Sequence, residues 1–194
     1  MARIGGSDAF GDVPVADLGQ GDRINLSVAA IMSRLPTVAA AIGGATTALK
    51  EAGGLAPRLM ELMRLRIAFH NQCRSCMSIR YQSAIDDGLT EDAVCSLEQP
   101  ADAPDLTDAE RSALRFTDLF ATDHLAIGDD IYADLRVHFT EDQLVALGLH
   151  CALCVGLGRL AATWHVVDEL PESLRADGPV PMAPWTSDFG VASG

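Results

Sequence analysis

Apolar residues recur at helical spacing along most of the chain, interrupted at short intervals by glycine, proline or a capping threonine. The pattern predicts helices over residues 25–34, 37–52, 57–70, 74–87, 91–98, 108–122, 129–138 and 141–168. Several of the starts have a physical cause. Pro57 suits a first helical turn, where its missing N–H is no loss. Thr107 with Glu110, and Thr140 with Gln143, have the spacing of capping boxes, and Thr90 is a plain N-cap. Gly53 and Gly88 are natural stops. The phrases "GLTEDAV" and "HFTEDQLV" resemble one another, but capping chemistry alone would select the same letters.

The two ends lack this periodicity. Residues 1–22 are rich in Gly, Asp and Ala, and the chain from Pro171 onward is broken by proline and glycine. The expected organisation is an N-terminal arm (1–22), one helical domain (23–170) and a C-terminal arm (171–194). Trp185 and Phe189 in the otherwise polar tail point to packing, for instance on a neighbouring subunit.

Composition sharpens the fold class. Hydrophobic residues make up 48% of the chain but aromatics only 5%, a balance that favours packed helices over sheets. An all-α, single-domain helical bundle is expected. The net charge of −13 would repel phosphate backbones and anionic lipid surfaces, which argues against nucleic-acid and membrane partners. The apolar run from Leu144 to Gly158 ends at Arg159, short of the ~20 residues a membrane span needs, and reads as a buried core helix. The N-terminus has no apolar core of the secretory kind, so a cytoplasmic protein is expected. In that compartment a close cysteine pair suits catalysis, redox chemistry or metal binding better than a structural cross-link.

Such a pair occurs in "NQCRSCMSIRYQ". Cys73 and Cys76 fall at the first turn of a predicted helix, where unpaired backbone N–H groups favour a thiolate. At i, i+3 they share a face, close enough for a disulfide after modest adjustment. A reversible dithiol is physically reasonable; packing is disfavoured by the polar Arg74 and Ser75 between them, and zinc would need further ligands. Cys151 and Cys154, with His150, could supply those ligands, but they lie in the apolar run and far along the chain, and read as buried small side chains. Cys95 is expected to pack within its helix.

Three neighbours carry candidate chemistry. On a continuous helix Arg80 would share a face with Cys73 and Cys76. There it could stabilise a thiolate or hold an anion but could not act as a base; the ordinary alternative is a surface ion pair. Glu61, three helical turns before Cys73, either pairs with Arg64 or faces the thiols as an acid or base. His70 is a second proton-transfer candidate, set against the usual role of a helix-end histidine on terminal carbonyls.

The run "ELMRLRIAFHNQCRSCMSIRYQSAIDDGLTEDAV" resembles the alkyl hydroperoxidase D-like branch of the carboxymuconolactone decarboxylase family. That motif places a Glu twelve residues before a Cys-x-x-Cys and a His four residues after the second Cys. Glu61, Cys73 and Cys76 match it, and the similarity extends over roughly residues 25–170. The resemblance implies a peroxide-attacking Cys76, a resolving Cys73 and a proton relay that includes Glu61; the residues themselves call for no organic cofactor, and no metal is expected. It also implies a protein dithiol as reductant and a homo-oligomer, trimer or hexamer, across which the arms would lie. The family His is replaced by Arg80, which offers a fixed charge where the motif has a proton shuttle.

Three functions follow as expectations. The first is a thiol-dependent oxidoreductase that reduces peroxides or exchanges disulfides through Cys73 and Cys76. The second is a lactone decarboxylase in which Arg80 grips a carboxylate and Glu61 or His70 moves protons. The third is a non-catalytic helical oligomer.

Overall fold

The computed structural model describes residues 1–175 and 189–193. Its elements are α1 (Gln20–Met32), α2 (Pro36–Ala52), α3 (Pro57–His70), α4 (Arg74–Met77), β1 (Ile79–Tyr81), α5 (Gln82–Asp86), α6 (Glu91–Cys95), α7 (Asp108–Thr122), α8 (Asp129–Leu135), α9 (Glu141–Trp164) and β2 (Gly190–Ala192). The fold is all-α, with one short parallel β1–β2 ladder.

Helix α3 is the centre. Nine of its fourteen residues are buried, and it packs on α7 and α9 as well as on the short α4 and α5. Leu59, Leu62, Met63, Leu65 and Ile67 join Leu114 and Phe116 of α7 and Leu144 and Leu147 of α9 in the main core. The capping boxes form as the threonines predict: Thr107 and Glu110 exchange bonds at the start of α7, and Thr140 and Gln143 at the start of α9. Arg58 ties the head of α3 to its neighbours. Its Nε lies 2.7 Å from Glu110 Oε1 and its Nη1 donates to the Gly88 carbonyl at 2.6 Å, while its backbone N–H meets Asp87.

Helix α3 ends in a left-handed turn. Gln72 takes φ 51°, and the Cys73 N–H returns to the Ala68 carbonyl at 3.0 Å, the long bond of a Schellman closure. Non-glycine residues rarely adopt that conformation; here the Gln72 side chain also bonds the Phe69 carbonyl. The reversal delivers Cys73 as the N-cap of α4.

The predicted helix 74–87 does not exist as one element; it is α4, β1 and α5 in succession. The cause is Arg64, whose guanidinium donates to the Cys76 carbonyl at 2.7 Å and the Ile79 carbonyl at 2.9 Å, capturing acceptors that a continuing helix would use. The chain then extends and pairs with β2, whose Gly190 N–H donates to the Ser78 carbonyl. Smaller differences occur at element ends. Helix α1 starts at Gln20 rather than 25, α6 gives way to a 3-10 turn at Ser96–Glu98, and α8 and α9 stop at Leu135 and Trp164.

The described parts of both predicted arms lie on their own chain. Arg3 N–H bonds the Trp164 carbonyl and Ser7 N–H the Ala30 carbonyl, so the first residues pack on α1 and the end of α9. Phe189–Ser193 return to β1 and α1, where Ser193 binds Asp22. The approach of β2 to α1 requires glycine on both sides: a Cβ on Gly21 would lie 2.5 Å from Val191 backbone, and one on Gly190 2.5 Å from Gly21 N. Trp185 lies outside the described residues. Cys95, expected to pack, is exposed at the end of α6.

Candidate active site

Cys73 and Cys76 are joined in a disulfide, with their Cα atoms 5.2 Å apart. Cys73 is fully buried against Ile31, Ala161, Trp164 and Val166. Cys76 is partly exposed and lines a half-open cavity of about 410 Å³ between α1, α2, α3, α4, β1, α5 and α9. The turn carrying the cysteines is fixed to α9 through Asn71, which donates to the Cys154 carbonyl at 3.1 Å and accepts from Arg159. That approach needs Gly158, where a Cβ would come within 2.6 Å of the Asn71 amide.

The cavity wall is mostly apolar, with a few polar groups converging on it. Glu61, 3% exposed, and Arg64 form a two-pronged ion pair with N–O distances of 2.6 and 2.7 Å. Burial opposes the Arg64 charge, but the Glu61 carboxylate outweighs it and holds the guanidinium pKa above its ordinary value. Glu61 also accepts from the Tyr81 backbone N–H at 3.2 Å. Of the alternatives posed for Glu61, the pairing with Arg64 is present, and the paired carboxylate also lines the cavity.

Tyr81 presents its ring between two cations, with Arg64 5.1 Å and the Lys50 Nζ 5.0 Å from its centroid. Burial pushes its phenol pKa up, so it is neutral at pH 7. His150 also lines the cavity, 8% exposed, its Nε2 2.8 Å from the Met60 carbonyl. A carbonyl can only accept, so Nε2 carries the proton and Nδ1 holds a lone pair. Burial pulls the imidazole pKa down, which keeps this neutral form at pH 7. Cys154 lies one helical turn on, its Sγ 3.7 Å from His150 Nε2 and its pKa pushed up to about 12 by burial.

The other two residues singled out from the sequence are elsewhere. In β1 alternate side chains face opposite ways, so Ile79 and Tyr81 reach the cavity and Arg80 turns from it. Arg80 is 2% exposed; it pairs with Glu91 at 2.9 Å, donates to the Met77 and Ile79 carbonyls and stacks on Phe189. The face shared with the cysteines presupposed a continuous helix, and the break at Ser78 removes it. Nor can Arg80 hold a carboxylate in this cavity, because it is not part of the wall. His70 likewise faces α7, its Nε2 2.7 Å from Asp118 Oδ1, beside Arg66 on the same carboxylate.

Spacing from the thiols does not single out Tyr81, and it names Arg64 only as the partner of Glu61 and His150 only as a possible metal ligand, not as walls of one cavity with Cys76. His150 and Cys154 at i, i+4 were a visible signal, since they must share a face of α9. Among the described residues no group of three or more His, Cys, Asp or Glu is arranged to hold a metal.

Comparison with known proteins agrees with this geometry. The sequence model of the carboxymuconolactone decarboxylase family matches residues 25–119, the segment carrying Glu61, Arg64 and the disulfide. Residues 25–119 belong to the carboxymuconolactone decarboxylase family. Uncharacterised proteins from two strains of Mycobacterium tuberculosis are 33% identical over 111 residues, which are 56% of this chain and 38% of theirs. The chain thus spans well under half the length of these relatives. A crystal structure from Agrobacterium tumefaciens, of a protein of unknown function proposed to be the antioxidant defence protein AhpD, shares the fold. Its TM-score is 0.61 at 22% identity, covering 70% of this chain and 93% of that one. His150 and Cys154 lie beyond the stretch the family model matches.

Proposed function

We propose that this protein is a thiol-dependent oxidoreductase that reduces an organic hydroperoxide through Cys76 and Cys73. One observation carries the reading: of the two disulfide-linked sulfurs, the one lining the apolar cavity is Cys76, while Cys73 is sealed behind it. In the reduced protein the Cys76 thiolate attacks a peroxide oxygen. An S–O bond forms, the O–O bond breaks, and the alkoxide leaves with a proton as the alcohol. The Cys73 thiol then attacks the sulfenic sulfur, forming the S–S bond and releasing water. A dithiol protein restores both thiols by exchange.

Proton handling falls to the cavity wall. His150 lines the same cavity as Cys76 and, with Nε2–H spent on Met60, is the wall's candidate to take the Cys76 proton at Nδ1 and return it to the leaving alkoxide. Glu61 and Arg64 supply a fixed, neutralised dipole beside the thiols, and Arg64 holds the Cys76 carbonyl in place. His70 and Arg80 serve packing.

A homo-oligomer, trimer or hexamer, fits the surface. Helix α2 has no buried residue, and α9 exposes Val145, Leu149 and Leu160, an apolar face that a second copy would cover. The same face explains why α9, 24 residues long, is apolar enough to cross a membrane by length and composition. The dithiol cycle suits the reducing cytoplasm.

The test is to titrate free thiols in the reduced protein before and after one equivalent of cumene hydroperoxide. Wild type should lose two thiols. Cys76→Ser should lose none, with turnover falling on the order of a thousandfold. Cys73→Ser should stop at a Cys76 sulfenic acid trappable by dimedone. Two thiols surviving peroxide in wild type would refute the reading.

A further inference from the structure

The charges around the cavity do not cancel. Glu61 and Arg64 neutralise each other across their two-pronged bond, and Arg64 spends further donors on the Cys76 and Ile79 carbonyls. Tyr81, His150 and Cys154 are neutral at pH 7, each kept so by burial. That leaves Lys50 of α2. Its ammonium rests over the Tyr81 ring at the cavity wall, and among the described residues no carboxylate comes within ion-pair distance. Lys50 is exposed, and in the cavity wall it is the charged side chain without a carboxylate partner among the described residues. The ammonium nitrogen itself sits 5.0 Å from the ring centroid, and the ring accepts no conventional hydrogen bond, so the N–H donors directed away from it stay available to a ligand.

We propose that the cavity binds a substrate with an apolar body and a carboxylate, the carboxylate pairing with Lys50 while the apolar body lies against α1 and α9 and reaches Cys76. The wall supplies both halves of that recognition: Val28, Met32, Leu153 and Leu157 are apolar, and Lys50 is the remaining charge. At roughly 30 Å³ per water-sized group, the cavity accepts on the order of a dozen non-hydrogen atoms, the size of a medium-chain fatty acid. This substrate class rests on the peroxide reading for its reaction but not for its binding, so the two can fail separately.

Binding is measured on the oxidised protein by calorimetry with decanoate and 1-decanol, which share an apolar chain and differ in charge. Decanoate should bind about tenfold more tightly, the scale of one charge-assisted contact at a partly exposed site. Lys50→Met should abolish that preference and leave 1-decanol unchanged, and Lys50→Arg should keep it. Equal affinities in wild type, or a decanoate preference that survives Lys50→Met, would overturn the proposal. Lys50-dependent decanoate binding in a protein that does not respond to cumene hydroperoxide would uphold the site and refute the reaction. Peroxide turnover with no decanoate preference would do the reverse.

Discussion

Two Cys-x-x-Cys sequences stand in this chain, and only one is a disulfide. Cys73 and Cys76 are bonded; Cys151 and Cys154, with the same spacing, are free thiols. The difference lies in the backbone. Within a regular helix, Cβ atoms at i and i+3 are ~5–6 Å apart, too far for the ~3.5–4.5 Å that a disulfide requires. Cys151 and Cys154 are held in that geometry by the uninterrupted α9. Cys73 escapes it, because as the N-cap of α4 it has extended backbone angles (φ −85°, ψ 92°) set by the left-handed turn at Gln72. The spacing is common to both pairs, and the helix end decides which one can bond.

Environment widens the contrast. Cys151 is fully buried beside Thr117, and Cys154 stands in the cavity wall near His150; burial pushes each thiol up to about 12. At pH 7 such a thiol is ionised in about one molecule in 10⁵, against a few per cent for an ordinary cysteine. The largest expected effect follows. In the reduced protein, iodoacetamide at pH 7 should modify Cys76 at least a hundredfold faster than Cys151 or Cys154, with the exposed Cys95 as an internal reference. Site-resolved mass spectrometry reads the four rates. Comparable labelling of Cys154 and Cys76 would erase the distinction between the pairs.

Much of this architecture was legible in the chain. Helices α2, α3, α7 and α9 follow from periodicity and from caps made by adjacent residues, which act locally and can be read locally. The cysteine pair and Glu61 were visible too, through spacing along one helix and the family motif. What escaped depended on distant partners. The break after Met77 needs Arg64 donors from the preceding helix and a strand contributed by Gly190–Ala192 at the far end of the chain. A helix and a strand aim the same residue differently, so without that break Arg80 falls on the face of the cysteines. His150 was hidden for a related reason: its place in the cavity is set by how α9 packs on α3, which no periodicity reports.

Arg80 gives the next contrast, between closeness in sequence and closeness in space. Arg80→Ala should leave the Cys76 alkylation rate unchanged, since the guanidinium faces Glu91 and Phe189. It should cost about 2–3 kcal/mol in urea unfolding, by stranding the Met77 carbonyl, weakening β1 and removing a buried charge from its partner. Glu91 is 36% exposed and can be resolvated, which keeps the loss below that of a fully buried pair. A slowed thiol with unchanged stability would mean that Arg80 acts on the disulfide side after all.

The smallest effect isolates the buried thiol of the unbonded pair. Cys151 has a folded-state pKa of about 12, and an unfolded cysteine titrates near ~8.5. Between those values the folded protein keeps a proton that the unfolded chain gives up, so stability falls as pH rises, by at most ~1.4 kcal/mol per pH unit. The thiol's contribution is complete below about pH 8.5 and should decline by roughly 2 kcal/mol by pH 10. Cys151→Ala lacks this titration but loses the packing of a buried sulfur, about 1 kcal/mol. The variant should therefore be the less stable protein at pH 7, match wild type near pH 9, and exceed it by pH 10 when urea midpoints are compared. Other groups titrate in that range in both proteins and cancel in the difference. The disulfide-bonded Cys73 and Cys76 have no proton to lose, so replacing both by alanine should give a pH profile parallel to that of the oxidised wild type, with no such crossing. If Cys151→Ala ran parallel to wild type as well, burial of the α9 thiol would not be what separates the pairs.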